Sequence, residues 1–137
     1  MLIYNKFECF VGDLGNKVHD LNADLLKVYL TNNAPSASGD SVKADLAGIT
    51  EENGYAPADI QNVWAEAGGV GTLEGTDVEW IAAGGTIGAF RYVLLFNDTP
   101  VAPEDPLISW WDYGSEITLQ IGEKFTVDFG ASILTIE

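Results

Sequence analysis

A mainly β domain, an antiparallel β-sandwich or jelly-roll-like barrel with one amino-terminal amphipathic helix, is predicted by three features of this sequence. Short runs rich in β-branched and aromatic residues recur from residue 25 to residue 137. Glycine, proline and Asn/Asp clusters separate them at short intervals. No helical pattern alternates with them, as a parallel sheet would require. The 137 residues suit a single domain, 1–137, with a core large enough to need no disulfide or metal staple.

The helix comes first. Residues 5–21, NKFECFVGDLGNKVHDL, place Phe7, Phe10, Val11, Leu14, Val18 and Leu21 at the three-and-four spacing of one apolar face. Asn5, with Glu8 three residues later, fits a capping box in which Asn replaces Ser or Thr. Gly12 and Gly15 each weaken such a helix by about 1 kcal/mol relative to alanine, so its apolar stripe must pack on a sheet.

From residue 25 the period falls to two, which makes 25–137 the β-sandwich. Strands are expected at 25–32, 42–49, 59–67, 72–82, 86–98, 107–113, 116–121, 124–129 and 132–137. Turns fall at Asn32-Asn33-Ala34-Pro35, Ser38-Gly39-Asp40, Asn53-Gly54, Gly68-Gly69, Gly84-Gly85, Asn97-Asp98-Thr99-Pro100, Gly114 and Gly122-Glu123. TPVAPEDP, 99–106, reads as a stiff loop. Within 88–96, alternation puts Phe90, Tyr92, Leu94 and Phe96 on one face and Arg91, Val93 and Leu95 on the other. Both faces are apolar, so the strand is central, and Arg91 becomes a partly buried cation in need of a carboxylate from Asp112, Asp128 or Glu79. A structural ion pair, with Asp112 as partner, is favoured over a ligand grip because no phosphate-cradling glycine loop accompanies the arginine.

Trp110 and Trp111 are adjacent and must point to opposite faces of a strand. One can enter the core; the other needs a loop, a partner chain or a ligand to cover it. Trp110, Trp111, Tyr113, Phe7 and Phe10 are therefore the candidates for a partner or subunit interface. A sugar-stacking platform would also need convergent carboxylates and amides.

The charge excludes several functions. Asp and Glu number 21 against 6 Lys and Arg, a formal net charge of −15, and the cations Lys6, Lys17, Lys27, Lys43, Arg91 and Lys124 are scattered. Nucleic acid and anionic membrane surfaces repel such a chain. Cys9 is the sole cysteine and has no neighbour at metal-ligand spacing, so neither a disulfide, a metal nor another cofactor is expected. His19 is also alone, near the end of the expected helix, which suits a capping or surface role and gives no Ser-His-Asp set. Glu51-Glu52 and Glu104-Asp105 read as solvated turns rather than glycosidase pairs. Asn97-Asp98-Thr99 has the form of a glycosylation triplet but is read as a turn. The start, MLIYNKFECF, lacks the features of a secretory signal, and no apolar run reaches membrane-spanning length. The chain is not expected to be an enzyme.

Three blocks covering more than half of the chain, YNKFECFVGDLGNKVHDLNADLLKVYLTNNAP, GAFRYVLLFNDT and DPLISWWDYGSEITLQIGEKFTVDF, carry a further signal. As an ordered set they resemble a family of small virion structural proteins of tailed bacteriophages, labelled head-decoration or tail-fibre-like proteins. The resemblance implies a virion component assembled in the host bacterial cytoplasm, foremost a capsid decoration or cement protein that binds and stabilises the outer head surface. Its partners would be the major capsid protein or other virion proteins. A tail or tail-fibre-associated protein belongs to the same class, and residues 50–80 add no support. Strong acidity suits the outside of a head better than its DNA-lined interior. The excess of aromatic residues and the number of edge strands lead to a homo-oligomer, with a trimer favoured. Outside that class, a carbohydrate-binding module using the tryptophans is the alternative.

Overall fold

Two-residue periodicity governs most of the chain, and the computed structural model, which describes residues 3–137, resolves it into antiparallel strands and one short helix. Met1 and Leu2, at the head of the segment read above as lacking a targeting signal, lie outside the described residues. The elements are β1 (Ile3–Lys6), α1 (Cys9–Gly15), β2 (Leu26–Thr31), a 3₁₀ turn (Lys43–Asp45), β3 (Ala58–Asp59), β4 (Val63–Ala67), β5 (Val70–Glu74), β6 (Val78–Ile81), β7 (Ile87–Asn97), β8 (Leu107–Leu119), β9 (Lys124–Val127) and β10 (Leu134–Ile136). They form a five-stranded sheet in the order β1-β8-β7-β2-β3, a three-stranded sheet β10-β5-β4 and a pair β6-β9.

The five-stranded sheet is apolar on both faces. One face meets the main core, where Val28, Leu30, Phe90, Val93, Leu95, Ile108 and Trp111 pack with Leu73 of β5, Trp80 of β6 and Phe125 and Val127 of β9. The opposite face carries a smaller core of Phe7, Tyr29, Leu94, Phe96 and Leu107, closed by Leu46. The segment after β2 provides that cover. Tyr29 donates its hydroxyl to Leu46 O at 2.8 Å, and Asp45 fixes the turn by accepting the Ser41 and Val42 N–H groups at 2.9 and 3.2 Å. Residues 42–49, expected as a strand, are thus a 3₁₀ turn and loop laid over the second core.

The expected helix at 5–21 is replaced by β1, a turn and the seven-residue α1. Asn5 is not the cap of α1: it pairs with Trp110 in the β1–β8 ladder, and α1 begins after Glu8 with no side-chain cap. Two glycines had already made the helix weak, and four residues of ladder with β8 outweigh it. Elsewhere the expected strand 59–67 breaks at Gln61, where φ is +50°, and 72–82 divides into β5 and β6. The strands at 107–113 and 116–121 merge into β8, which passes through Gly114 at φ +97°.

Alternation along β7 also fails, at three shifts of register against β8, of which the widest lies at Arg91. Phe90 pairs with Ile117 and Tyr92 with Asp112, so Arg91 alone faces the four β8 residues 113–116. The bulge puts Phe90 on the main-core side with Val93 and Leu95, opposite Leu94 and Phe96, rather than on one face with them.

Candidate functional site

The same bulge shapes an aromatic cleft beside the sequence candidates Trp111 and Tyr113. Between Asp112 and Ile117 the β8 backbone leaves the ladder, with the Gly114 N–H donating to Asp112 Oδ1 at 2.7 Å in a tight local turn. Tyr113 is pushed outward and is 41% exposed. Its ring meets Phe125 edge-on at 5.7 Å, Phe125 meets Phe90 at 5.0 Å, and Phe129 meets Trp111 at 5.6 Å. Trp111, Tyr113, Phe125, Thr126, Asp128 and Phe129 thereby bound an open cleft of about 510 Å³.

Trp110 and Trp111 point to opposite faces as expected, and residues of this chain cover both. Trp110 packs on Phe7 with ring centroids 4.6 Å apart, over the smaller core. Trp111 sits in the main core between Tyr4, met edge-on at 5.7 Å, and Phe129. At 8% exposure Trp111 has no open ring face on which a sugar could stack. Phe7 and Phe10 are buried as well, so neither can serve as surface for a partner of the folded chain. Of the five aromatic candidates, Tyr113 is the one that is substantially exposed.

Arg91 finds Asp112, the partner first in mind from the sequence, through a two-pronged contact: Nε to Oδ1 at 2.8 Å and Nη2 to Oδ2 at 3.1 Å. Asp128 instead accepts the Gly130 N–H, and Glu79 takes the Thr126 hydroxyl and lies 3.7 Å from Lys124. The pair stabilises both charges. Its hydrogen bond holds Arg91 above its ordinary pKa, and Arg91 together with the Gly114 N–H holds Asp112 below the ordinary carboxylate value. Arg91 is partly buried, as expected, with its side chain 39% exposed beside the bulge.

His19 departs further from expectation. It lies beyond α1 and is 8% exposed, neither capping a helix nor on the surface. Its Nδ1 is 3.0 Å from the Asn97 amide nitrogen, which also donates to Asp24 Oδ2 at 2.7 Å. Asn97 is fully buried and accepts the Thr99 N–H at 3.1 Å through Oδ1, which makes it a turn residue closed to glycosylation. Cys9 approaches the carbonyl oxygens of Ser41 and Leu107, and burial raises its thiol pKa to about 11, which keeps it in the poorly nucleophilic protonated form.

Chemically the cleft offers aromatic edges, the two hydroxyls of Tyr113 and Thr126 and the carboxylate of Asp128, and no group of three metal-ligating side chains occurs among the described residues. The contributions of Phe125, Phe129 and Asp128 went unnoticed in the sequence, although KFTVDF places Phe125, Val127 and Phe129 on one face by simple alternation. Among the described residues no helix is long and apolar enough to cross a membrane. Comparison with protein-family models, curated proteins and solved structures finds no match to this chain.

Proposed function

We propose that this protein is a structural component of a bacteriophage virion, a capsid decoration protein that docks on the outer head surface and stabilises it. The observation that carries the reading is the allocation of side chains. The groups a catalytic or ligand site would use are engaged inside the chain: Trp110 on Phe7, Trp111 under Tyr4 and Phe129, Arg91 on Asp112. Large apolar side chains also stand exposed on strands, the helix and loops, among them Val11, Val63, Ile81, Val101, Ile121 and Ile136. That distribution suits docking on other proteins. The two small sheets packed over one face of the larger sheet support a β-sandwich as the scaffold. The acidity keeps each copy soluble before assembly and favours a place away from DNA.

A particle reconstruction tests this directly. Many copies on the outer head surface, arranged as trimers, are expected, and heads lacking the protein open at lower temperature because a ligand of the closed shell stabilises it by linkage. A few copies at the tail would move the protein to the tail or tail-fibre class, and absence from particles would end the virion reading. The Tyr113 cleft favours a second reading, a carbohydrate-binding module, through its exposed aromatic ring beside Thr126 and Asp128. Glycan binding abolished by Tyr113→Ala with the fold intact would establish it.

A further inference from the structure

β1 closes one end of the five-stranded sheet and β10 one end of the three-stranded sheet, and between them and α1 runs a groove of about 670 Å³. Its two strand walls differ in kind. β1 contributes the alternate residues Tyr4 and Lys6, one face of a strand, whereas the β10 side contributes five consecutive residues, 133–137. A strand that shows a groove only its face lines it with every second residue, so consecutive lining means that the backbone edge of β10 opens into the groove. Among the described residues β10 pairs with β5 alone, on its other side. The third wall is the apolar side of α1: Leu14 and Val11, the latter 57% exposed.

We propose that this groove binds an extended, cationic segment of a partner protein, which adds to β10 as a further strand. The inference rests on the docking role proposed above and names the kind of partner. An unpaired edge supplies backbone N–H and C=O groups in register, and alternate apolar side chains of an added strand fit the α1 wall. Charge fixes the sign of the occupant. Among the side chains lining the groove Lys6 and Glu137 are charged and offset one another, so the sign is set at long range by the chain's net charge of −15. A second copy would bring the same charge to the contact and be repelled at low salt; a segment alternating Lys or Arg with apolar residues would be attracted.

The test uses the full chain and two capped peptides, Lys-Val-Lys-Val-Lys-Val-Lys and Glu-Val-Glu-Val-Glu-Val-Glu, with amide hydrogen exchange read residue by residue. The lysine peptide is expected to slow exchange within residues 133–137 and to lose affinity as salt rises, while the glutamate peptide does neither. Val11→Gln, at an exposed position, should weaken binding by about tenfold and leave the melting temperature unchanged. No protection from the lysine peptide at millimolar concentration overturns the proposal, as does equal binding of the glutamate peptide. Protection that instead grows with protein concentration and salt, without peptide, assigns the groove to a second copy. The two readings fail separately: particles carrying the protein with this groove empty refute the groove alone, and peptide binding by a protein absent from particles refutes the virion role alone.

Discussion

Mild acid should destabilise this fold through His19 before its carboxylates titrate. The Asn97 amide has a fixed orientation: its nitrogen faces the Asp24 carboxylate at 2.7 Å and its oxygen accepts the Thr99 N–H at 3.1 Å. An N–H of Asn97 therefore points at His19 Nδ1, which must carry a lone pair, and the ring proton sits on Nε2. Protonating Nδ1 would set donor against donor in a site that is 8% exposed and packed on Phe10. The carboxylates of Asp13 and Asp24 favour the charged ring, but burial outweighs them and the His19 pKa lies below its ordinary value of 6.5. The sign follows. Below about pH 6.5 the unfolded chain takes up a proton that the folded chain refuses, so this group's contribution is intact above that pH and is lost as pH falls toward the folded pKa. The slope is at most about 1.4 kcal/mol per pH unit.

Denaturant unfolding at pH 7.5, 6.5, 5.5 and 5.0 measures the loss, and the ring signals of this lone histidine report its titration without overlap. Asp112 and Asp45, both lowered by hydrogen bonds to their carboxylates, lose their contributions only at more acid pH. Asp105 is raised by burial and by the Asp98 carboxyl, so its protonation works in the opposite sense and cannot imitate the loss. His19→Gln should flatten the profile between pH 7 and 5, whatever its cost at neutral pH. A folded-state ring titrating at the ordinary value, or an unchanged slope in His19→Gln, would refute the reasoning.

Other perturbations separate core, surface and backbone. Phe7→Ala removes a fully buried ring and uncovers Trp110; a loss of about 3–5 kcal/mol in denaturant unfolding is expected, with a red-shifted tryptophan emission. Arg91→Met should cost only a small fraction of that in the same assay, since the pair with Asp112 is half-exposed; a loss as large as that of Phe7→Ala would mean that the pair supports the core. Gly114→Ala meets open space and bears only the penalty of φ +97°, about 1 kcal/mol, whereas at Gly54, with φ +95°, an added methyl would lie 2.5 Å from Ile81 O, so Gly54→Ala should cost clearly more in thermal unfolding; equal losses would show that the chain relaxes around Ile81.

The β character was legible because alternation and turn residues are local signals. Asn53-Gly54, Gly68-Gly69 and Gly122-Glu123 fall at turns, and the opposed directions of Trp110 and Trp111 follow from pleating alone. The failures occur where a distant partner decides. The three-and-four spacing from Phe7 to Leu21 resembles a helix face, yet residues 3–6 have a strand partner more than a hundred positions away, which no local window contains. The Phe90 face was misassigned because the bulge opposite Arg91 lies in register with residues 113–116 of another strand; Gly114 was its only trace in the sequence. The sequence suggests a capping or surface role for His19, because its contact with Asn97 spans 78 positions and leaves no local mark. Of the candidate site, the Arg91–Asp112 pair could be foreseen from charge alone, while the groove between α1 and β10 joins opposite ends of the sequence and left no local mark.

The placement of β1 has a consequence for biosynthesis. Its ladder partner runs from Ser109 to Asp112, so the first strand to leave the ribosome waits for most of the chain before it can pair. Closing so long a loop is entropically slow, and in the interval the β8 edge, with its two tryptophans, has no neighbour on that side. Folding during translation therefore cannot proceed strand by strand from the amino terminus. The central hairpin of β7 and β8 can form before β1 docks on it, and that docking is a step at which two nascent copies could exchange this strand instead of each keeping its own.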